Sequence, residues 1–394
     1  MGINRDIKQL LLMNTSSMII FNFIGIFVNL YIWQKNQSIF DVTWFNLVMF
    51  TTWGFAFIFG TQLIKKWTTQ LLIRVVALCG AVTFTMLSFL ELENRMFWIA
   101  CIAVPVGIMW SFYAVAQNIS LTKLGKGKDF ESYFSFSSII GQIVSIVNPL
   151  LFAGVISFIG FNGSFLLMFV FVALLMVVSF YIPAISLKDE KQEEEIKNIL
   201  RIRPIQWIML SCMIAGFFLQ FQGLFALVFT FSISENKLVI ALLSIVYTLS
   251  TIVAMILYRK KKVRDSTWLS LGMVMISFGF LLALFQYPWM LIASNVLTTM
   301  GMFYFGTIWN TKQFKIIAKH SIIEQSKILI WRELSLTISR IIMLALILSV
   351  EKIQGPVFIS LMIVAILCAV ITPLVSNKMG DAADSSKHGK SRSE

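Results

Sequence analysis

The chain has 394 residues, of which 58% are hydrophobic and 14% aromatic, and its 13% of charged residues stands against roughly 25% in an ordinary soluble domain. So few charges cannot clothe a water-soluble surface of this size, so a soluble globular fold is excluded and the long apolar runs are read as membrane spans. The net charge of +13 would suggest nucleic acid in a soluble protein; here the charges follow membrane topology, and no nucleic-acid partner is implied.

Each span needs about 20 mainly apolar residues. In chain order the candidates are 10–33, 40–64, 71–90, 97–120, 133–159 and 161–185, then 207–232, 238–258, 267–285, 289–311, 328–350 and 356–376. The first begins behind Arg5 and Lys8, is too long for the apolar core of a signal peptide and lacks a small-residue cleavage pattern, so it is expected to stay in the protein. It carries Thr15, Asn22 and Asn29 at seven-residue spacing, which places them on one stripe. The fourth span carries Trp110, Ser111 and Tyr113, the fifth Gln142, the seventh Gln220 and Gln222, and the tenth Tyr304 and Trp309. Trp33, Trp98, Trp207 and Trp289 fall at span ends, where an interfacial belt is expected. The eleventh span is the most unusual, because it carries three charges, Arg332, Glu333 and Arg340.

The fold expected is therefore an all-α integral membrane protein of twelve transmembrane helices in two six-helix bundles. Residues 1–185 form the first bundle, 186–206 a charged cytoplasmic linker, 207–376 the second bundle and 377–394 a disordered cytoplasmic tail. An even number of spans leaves both termini on one side, and that side holds 26 of the 32 basic residues; the opposite side has Lys35, Arg95, Lys237 and Lys352. By the positive-inside rule both termini are cytoplasmic. Cys79, Cys101, Cys212 and Cys368 lie in apolar runs without metal-ligand or redox spacing and read as small buried hydrophobes.

Sliding one half over the other supports an internal repeat. An offset of 198 places Asn22-Phe23-Ile24-Gly25 on Gln220-Phe221-Gln222-Gly223, and Ser137 to Ile143 on Ser335 to Ile341. An offset of 192 places Gly80 on Gly272 and Asn118 on Asn310. Twelve spans, cytoplasmic termini, a charged linker and a basic loop after span two resemble the major facilitator superfamily. That loop, Gly60 to Thr69, matches the family's pattern at Gly60 and at Lys65 of the Lys65-Lys66 pair, but Ile64 stands at the acid position and Trp67 at the second glycine. The equivalent loop, Tyr258 to Asp265, is more basic and also departs from the pattern, and Asn148-Pro149 with Gly154 is similar to the Gly-Pro-rich element of the family's antiporters in worn form. Val28 to Trp33 and Trp331 to Arg340 resemble a poorly characterised Firmicute subgroup of the superfamily.

The resemblance implies parallel halves with substrate near the midplane between them. It also implies that spans one, four, seven and ten line the cavity, giving a pathway role to Asn22 and Gln220. The residues expected to line a substrate pathway are Asn22, Asn29, Trp110, Tyr113, Gln142, Gln220, Gln222, Tyr304 and Arg340. Polar groups in spans are expensive, but interhelical hydrogen bonding and aromatic packing are open as readings of the amides and rings. Arg340 near the centre of its span reads as an anion-binding or substrate-orienting cation. Glu333, seven residues earlier, returns to nearly the same face with Thr337 between; it reads either as a titrating group for proton coupling or as a permanent counter-ion. Arg332 is expected to point away from Glu333 and snorkel to the cytoplasmic surface, and Gly60, Lys65 and Lys66 form the gating loop.

Enzyme chemistry finds no support: His320 and His388 lie apart, no metal cluster or phosphate loop is visible, and no cofactor is expected. The reading is a monomeric secondary active transporter in a bacterial cytoplasmic membrane. Its solute is a small organic compound, with proton-coupled efflux as the preferred direction. Two alternatives are open, a transport-inactive sensor or partner on the same fold and a lipid flippase.

Overall fold

The computed structural model describes residues 5–89, 94–124, 128–186, 201–261, 263–320, 322–353 and 355–390. Most of the charged linker, 187–200, and the last four residues of the tail fall outside them. Among the described residues the regular elements are helical, as apolar sequences in lipid require: a helix satisfies its own backbone, and no water is present to do so.

The helices are α1 (Arg5–Phe23), a wide π turn (Ile24–Val28), α2 (Asn29–Asn36), α3 (Ile39–Leu63), α4 (Thr69–Ser88), α5 (Arg95–Leu124) and α6 (Lys128–Val178). They continue as α7 (Arg203–Ile233), α8 (Lys237–Lys260), α9 (Asp265–Leu282) with a short 3-10 turn (Ala283–Phe285), α10 (Pro288–Ile317), α11 (Ile322–Ile347) and α12 (Pro356–Lys390). Local chemistry sets several ends. Ser38 caps α3 by accepting from the Asp41 amide at 3.2 Å, and Thr68 caps α4 from Leu71 at 3.4 Å. Pro288 opens α10, where its missing N–H costs nothing. Gly160 interrupts α6 with φ 72°, a left-handed value that glycine adopts freely. Helix α12 runs past the expected end of the last span at 376 and continues to Lys390.

Ten stretches among the described residues are long and apolar enough to cross a membrane. Large apolar side chains such as Phe55, Phe158, Val274 and Leu374 are exposed on them, the pattern of a lipid-facing surface. The chain divides into two compact units, Met1–Lys191 with Ser234–Ile245, and Gln192–Ile233 with Val246–Glu394.

In the first unit α3 packs on α5, α4 on α5 and α6, and α1 on α6. Helices approach closely where a side chain is missing: a Cβ on Gly107 would stand 2.5 Å from the Met49 carbonyl oxygen, and one on Gly60 would stand 3.2 Å from the Phe112 ring. Gly60 of the expected gating loop is thus a packing position at the end of α3. In the second unit α9 packs on α10, and α7 on α11 and α12. Gly272 and Gly301 face each other across the α9/α10 seam, and a Cβ on Gly216 would collide with Ser339 and lie 2.9 Å from the Leu336 carbonyl oxygen of α11. Small residues of this kind let backbones in lipid approach, where dispersion rather than water expulsion drives association.

Many hydroxyls within spans turn back onto their own helix, among them Thr43 to Ile39, Thr83 to Cys79 and Thr230 to Ala226. Trp33, expected in the interfacial belt, is buried instead, at 6% exposure.

Candidate functional site

Among the described residues, a polar cluster with buried charge lies inside the second unit, where α7, α10 and α11 meet. Helix α10 presents Trp309, Asn310 and Gln313, which fall on neighbouring positions of one helical face and the flank beside it. Helix α7 adds Ser211 and Cys212, and α11 adds Arg332, Glu333 and Arg340. Arg332 is 8% exposed. Its Nε donates to Gln313 Oε1 at 2.6 Å, Nη1 to Glu333 Oε1 at 2.6 Å and Nη2 to Asn310 Oδ1 at 2.5 Å. The guanidinium carbon also lies 5.2 Å from the Trp309 ring centroid. An arginine held this way satisfies the demand that a charge in an apolar interior be paired and hydrogen-bonded.

The supporting residues are fixed in turn. Trp309 Nε1 donates to Ser211 Oγ at 2.5 Å, and its ring stacks on Phe305 at 5.0 Å. Gln313 is fully buried, and its amide nitrogen contacts Cys212 Sγ at 3.6 Å. Asn310 donates to the Gly306 carbonyl at 2.7 Å. Arg340 is half-buried and lies about 10 Å farther along the axis of α11 than Glu333. Arg332 and Glu333 are the charged groups beside it on the same helix.

Arg332 is the clearest correction to the sequence reading. Rather than leaving Glu333 and snorkelling outward, it is buried and ion-paired with Glu333. Adjacent helical residues leave the axis about 100° apart, but two long side chains can bend toward each other when acceptors across the interface, here Asn310 and Gln313, draw the guanidinium inward.

The first unit holds two neutral amide networks. Asn14 Oδ1 accepts from the Tyr113 hydroxyl at 2.5 Å and from Gln117 Nε2 at 3.3 Å. Its Nδ2 donates to Ser137 Oγ at 2.8 Å, and Gln117 donates to the Tyr133 hydroxyl at 2.9 Å. This hub joins α1, α5 and α6. Beside it Phe21, Trp110 and Trp53 stack in series, at centroid distances of 4.3 and 5.9 Å.

The second network surrounds the π turn. Asn29 Nδ2 donates to the carbonyls of Ile24 at 3.3 Å and Gly25 at 3.0 Å, while its oxygen accepts from Asn46 at 3.0 Å. The wide turn adds a residue between Asn22 and Asn29 and breaks the expected stripe. Asn22 consequently meets a different helix, accepting from Asn148 of α6 at 3.1 Å.

Of the remaining expected positions, Gln142 and Gln222 are half-buried, Gln220 is buried, and Tyr304 is 1% exposed against Trp268, with ring centroids 4.8 Å apart. Lys65 and Lys66 occupy the short turn after α3. That turn is tied to the end of the sixth expected span: Thr69 N donates to Ile185 O at 2.9 Å, Thr69 Oγ1 to Pro183 O at 2.7 Å and Ser186 Oγ to Ile64 O at 3.2 Å.

Sequence reasoning misses Asn14, Gln117, Asn310, Gln313 and the buried Arg95–Asp41 ion pair. Asn310 near the end of the tenth expected span is the available signal for one of them; Gln313 lies beyond the expected end at 311 and joins it only because the helix runs on to Ile317. Arg95 and Asp41 read as span-end residues, and nothing in one dimension shows that they meet.

Apolar membrane-length helices enclosing polar clusters define a multi-pass membrane protein. The chain belongs to the Major Facilitator Superfamily, whose family model matches residues 10–321. Its fold is similar to that of the POT family transporter PepTSo, with a TM-score of 0.73 at 9% identity over 97% of this chain and 98% of that one. A POT family transporter in complex with 5-aminolevulinic acid gives 0.70 at 14% identity, covering 95% of this chain and 96% of that chain. A bacterial homologue of the iron transporter ferroportin, in an outward-facing state, gives 0.67 at 15% identity, covering 96% and 98%. In sequence, the chain is 23% identical over 177 residues to "Uncharacterized protein in sodM 3'region" of Geobacillus stearothermophilus, which spans 45% of this chain and 81% of that protein.

Proposed function

We propose that the protein is a secondary active transporter of a small organic solute in a bacterial cytoplasmic membrane, with both termini cytoplasmic. It crosses the bilayer twelve times. The stretch Phe136–Val178 has 43 residues, about 65 Å if helical throughout and twice what a bilayer needs, and Gly160 divides it. Helix α11, of 26 residues, supplies the remaining span; its charges are the reason composition alone does not mark it. The 26-to-4 distribution of basic residues supports the orientation.

The observation that carries the functional reading is the buried Arg332 with its carboxylate, two amides and ring. A membrane interior penalises such a group, and intramembrane charges concentrate on transport pathways. Glu333 is the coupling group in this reading, and Arg340 orients solute farther along the same helix.

The test is solute-driven proton movement in proteoliposomes of the full chain, scanned over a broad compound panel with an internal pH dye; its sign also tests the expected direction, export. Substrate-dependent proton flux that disappears in Glu333→Gln is the expected result. Undiminished gradient-driven flux in that variant removes the coupling role, and no flux for any compound, with stable copurification of a protein partner, favours the transport-inactive alternative.

A further inference from the structure

We propose that Glu333 is a replaceable counter-ion: the solute is an organic anion whose carboxylate takes its place on Arg332, and Glu333 takes up a proton from water as it is displaced. This rests on the cluster being the solute site. Three features of the geometry carry it. First, Arg332 and Glu333 are sequence neighbours paired at 2.6 Å, so their ion pair ties no two helices together and can open without moving one. Second, the guanidinium is held independently of Glu333 by Gln313 and Asn310 of α10 and by the Trp309 face, so it stays in place when the carboxylate leaves. Third, the Glu333 side chain is the more exposed partner, at 21% against 9%, which puts the replaceable group on the open side.

The chemistry selects the ligand. A guanidinium presents a planar fork of donors that matches a carboxylate, and the other polar contributions from α10 and α7, Asn310, Gln313 and Ser211, are neutral. Among the described residues, the charged or titratable groups around Glu333 are Arg332 and Arg340 on α11 and Cys212 on α7. On α12 the Lys378 ammonium lies over the Trp207 ring of α7 at 5.4 Å, and on α10 Lys312 reaches Asn377 at 3.3 Å. An incoming carboxylate beside an ionised Glu333 would place two negative charges on one guanidinium in an apolar interior. Protonation of Glu333 removes that conflict, so anion and proton bind together and the cycle is a symport: an inward proton gradient then drives uptake, opposite to the export expected from the sequence, and the sign of the proteoliposome flux separates the two.

The experiment compares benzoate with benzamide, which has the same outline and no charge, on the purified full chain in nanodiscs. Calorimetry in buffers of differing ionisation enthalpy reads affinity and proton uptake together. Benzoate binding with uptake approaching one proton per anion, and no benzamide binding, is expected. Glu333→Gln should bind benzoate about tenfold more tightly and take up no proton, since its competitor is gone. Arg332→Gln should lose benzoate, and Arg332→Lys should recover part of it.

Equal binding of benzoate and benzamide, absence of benzoate binding, or loss of benzoate in a folded Glu333→Gln protein overturns the inference. Proton-coupled flux of an uncharged solute, with no anion binding, would overturn the counter-ion inference while leaving the transporter assignment standing.

Discussion

Arg95 Nε donates to Asp41 Oδ2 at 2.7 Å, and the two residues are 7% and 6% exposed. A second nitrogen of the guanidinium donates to the Ile32 carbonyl, so the pair joins α2, α3 and the start of α5. Breaking a buried ion pair from one side leaves an uncompensated charge, which costs about 3–5 kcal/mol, whereas replacing both partners with apolar residues is often neutral. Asp41→Asn is therefore expected to lower the unfolding midpoint of the purified protein sharply, and Asp41→Leu with Arg95→Met to recover most of it. Equal losses in the single and double variants would show that the charges do not act as a pair.

The Asn29 amide closes the π turn by bonding two carbonyls that the wide turn leaves short of partners. Asn29→Leu leaves both underused and is expected to cost about 1–3 kcal/mol. Asn46→Leu removes the interhelical bond and a bond to the Val42 carbonyl, which already serves its own helix, and should cost about 0.6 kcal/mol. Thermal unfolding in one detergent ranks them; a larger loss for Asn46→Leu would contradict the assignment.

Helix α11 can carry its cluster against α7 only because Gly216 has no side chain. Gly216→Ala forces Ser339 and the Leu336 carbonyl away, while a Cβ on Gly223 of the same helix meets nothing within 4 Å. The expected outcome is a clear drop in stability for the first substitution and little change for Gly223→Ala. Similar melting of the two would mean that α11 does not sit this close.

Cys212 is fully buried beside Gln313. In a chain whose Cys79, Cys101 and Cys368 are replaced by serine, N-ethylmaleimide is expected to label Cys212 slowly, since alkylation needs an exposed thiolate. Gln313→Ala should speed labelling severalfold by opening the cluster. Fast labelling of the parent chain would show that the thiol is not enclosed.

The candidate site is only half legible in the sequence. Arg332, Glu333 and Arg340 stand out because charge in an apolar run is rare whatever its neighbours. Their partners do not stand out: Asn310 and Gln313 are ordinary amides until α10 turns them toward Arg332, and Ser211 is one serine among many until Trp309 donates to it. The seven-residue stripe of Thr15, Asn22 and Asn29 fails for a local reason. Periodicity assumes one helical pitch, and the π turn at Ile24–Val28 inserts a residue that rotates the next helical segment by about 100°.

By itself the sequence determined the solvent of this protein and the approximate spans, because transfer to a bilayer depends on apolar length and on where charges interrupt it, which are properties of a chain in one dimension. Only the tertiary structure decided which polar groups meet. Helix rotation, the close approaches at Gly107 and Gly216, and the bending of Arg332 onto its neighbour are set by packing between segments, and side-chain hydrogen bonds extend only about 3 Å. At that range a rotation of one residue exchanges one partner for another.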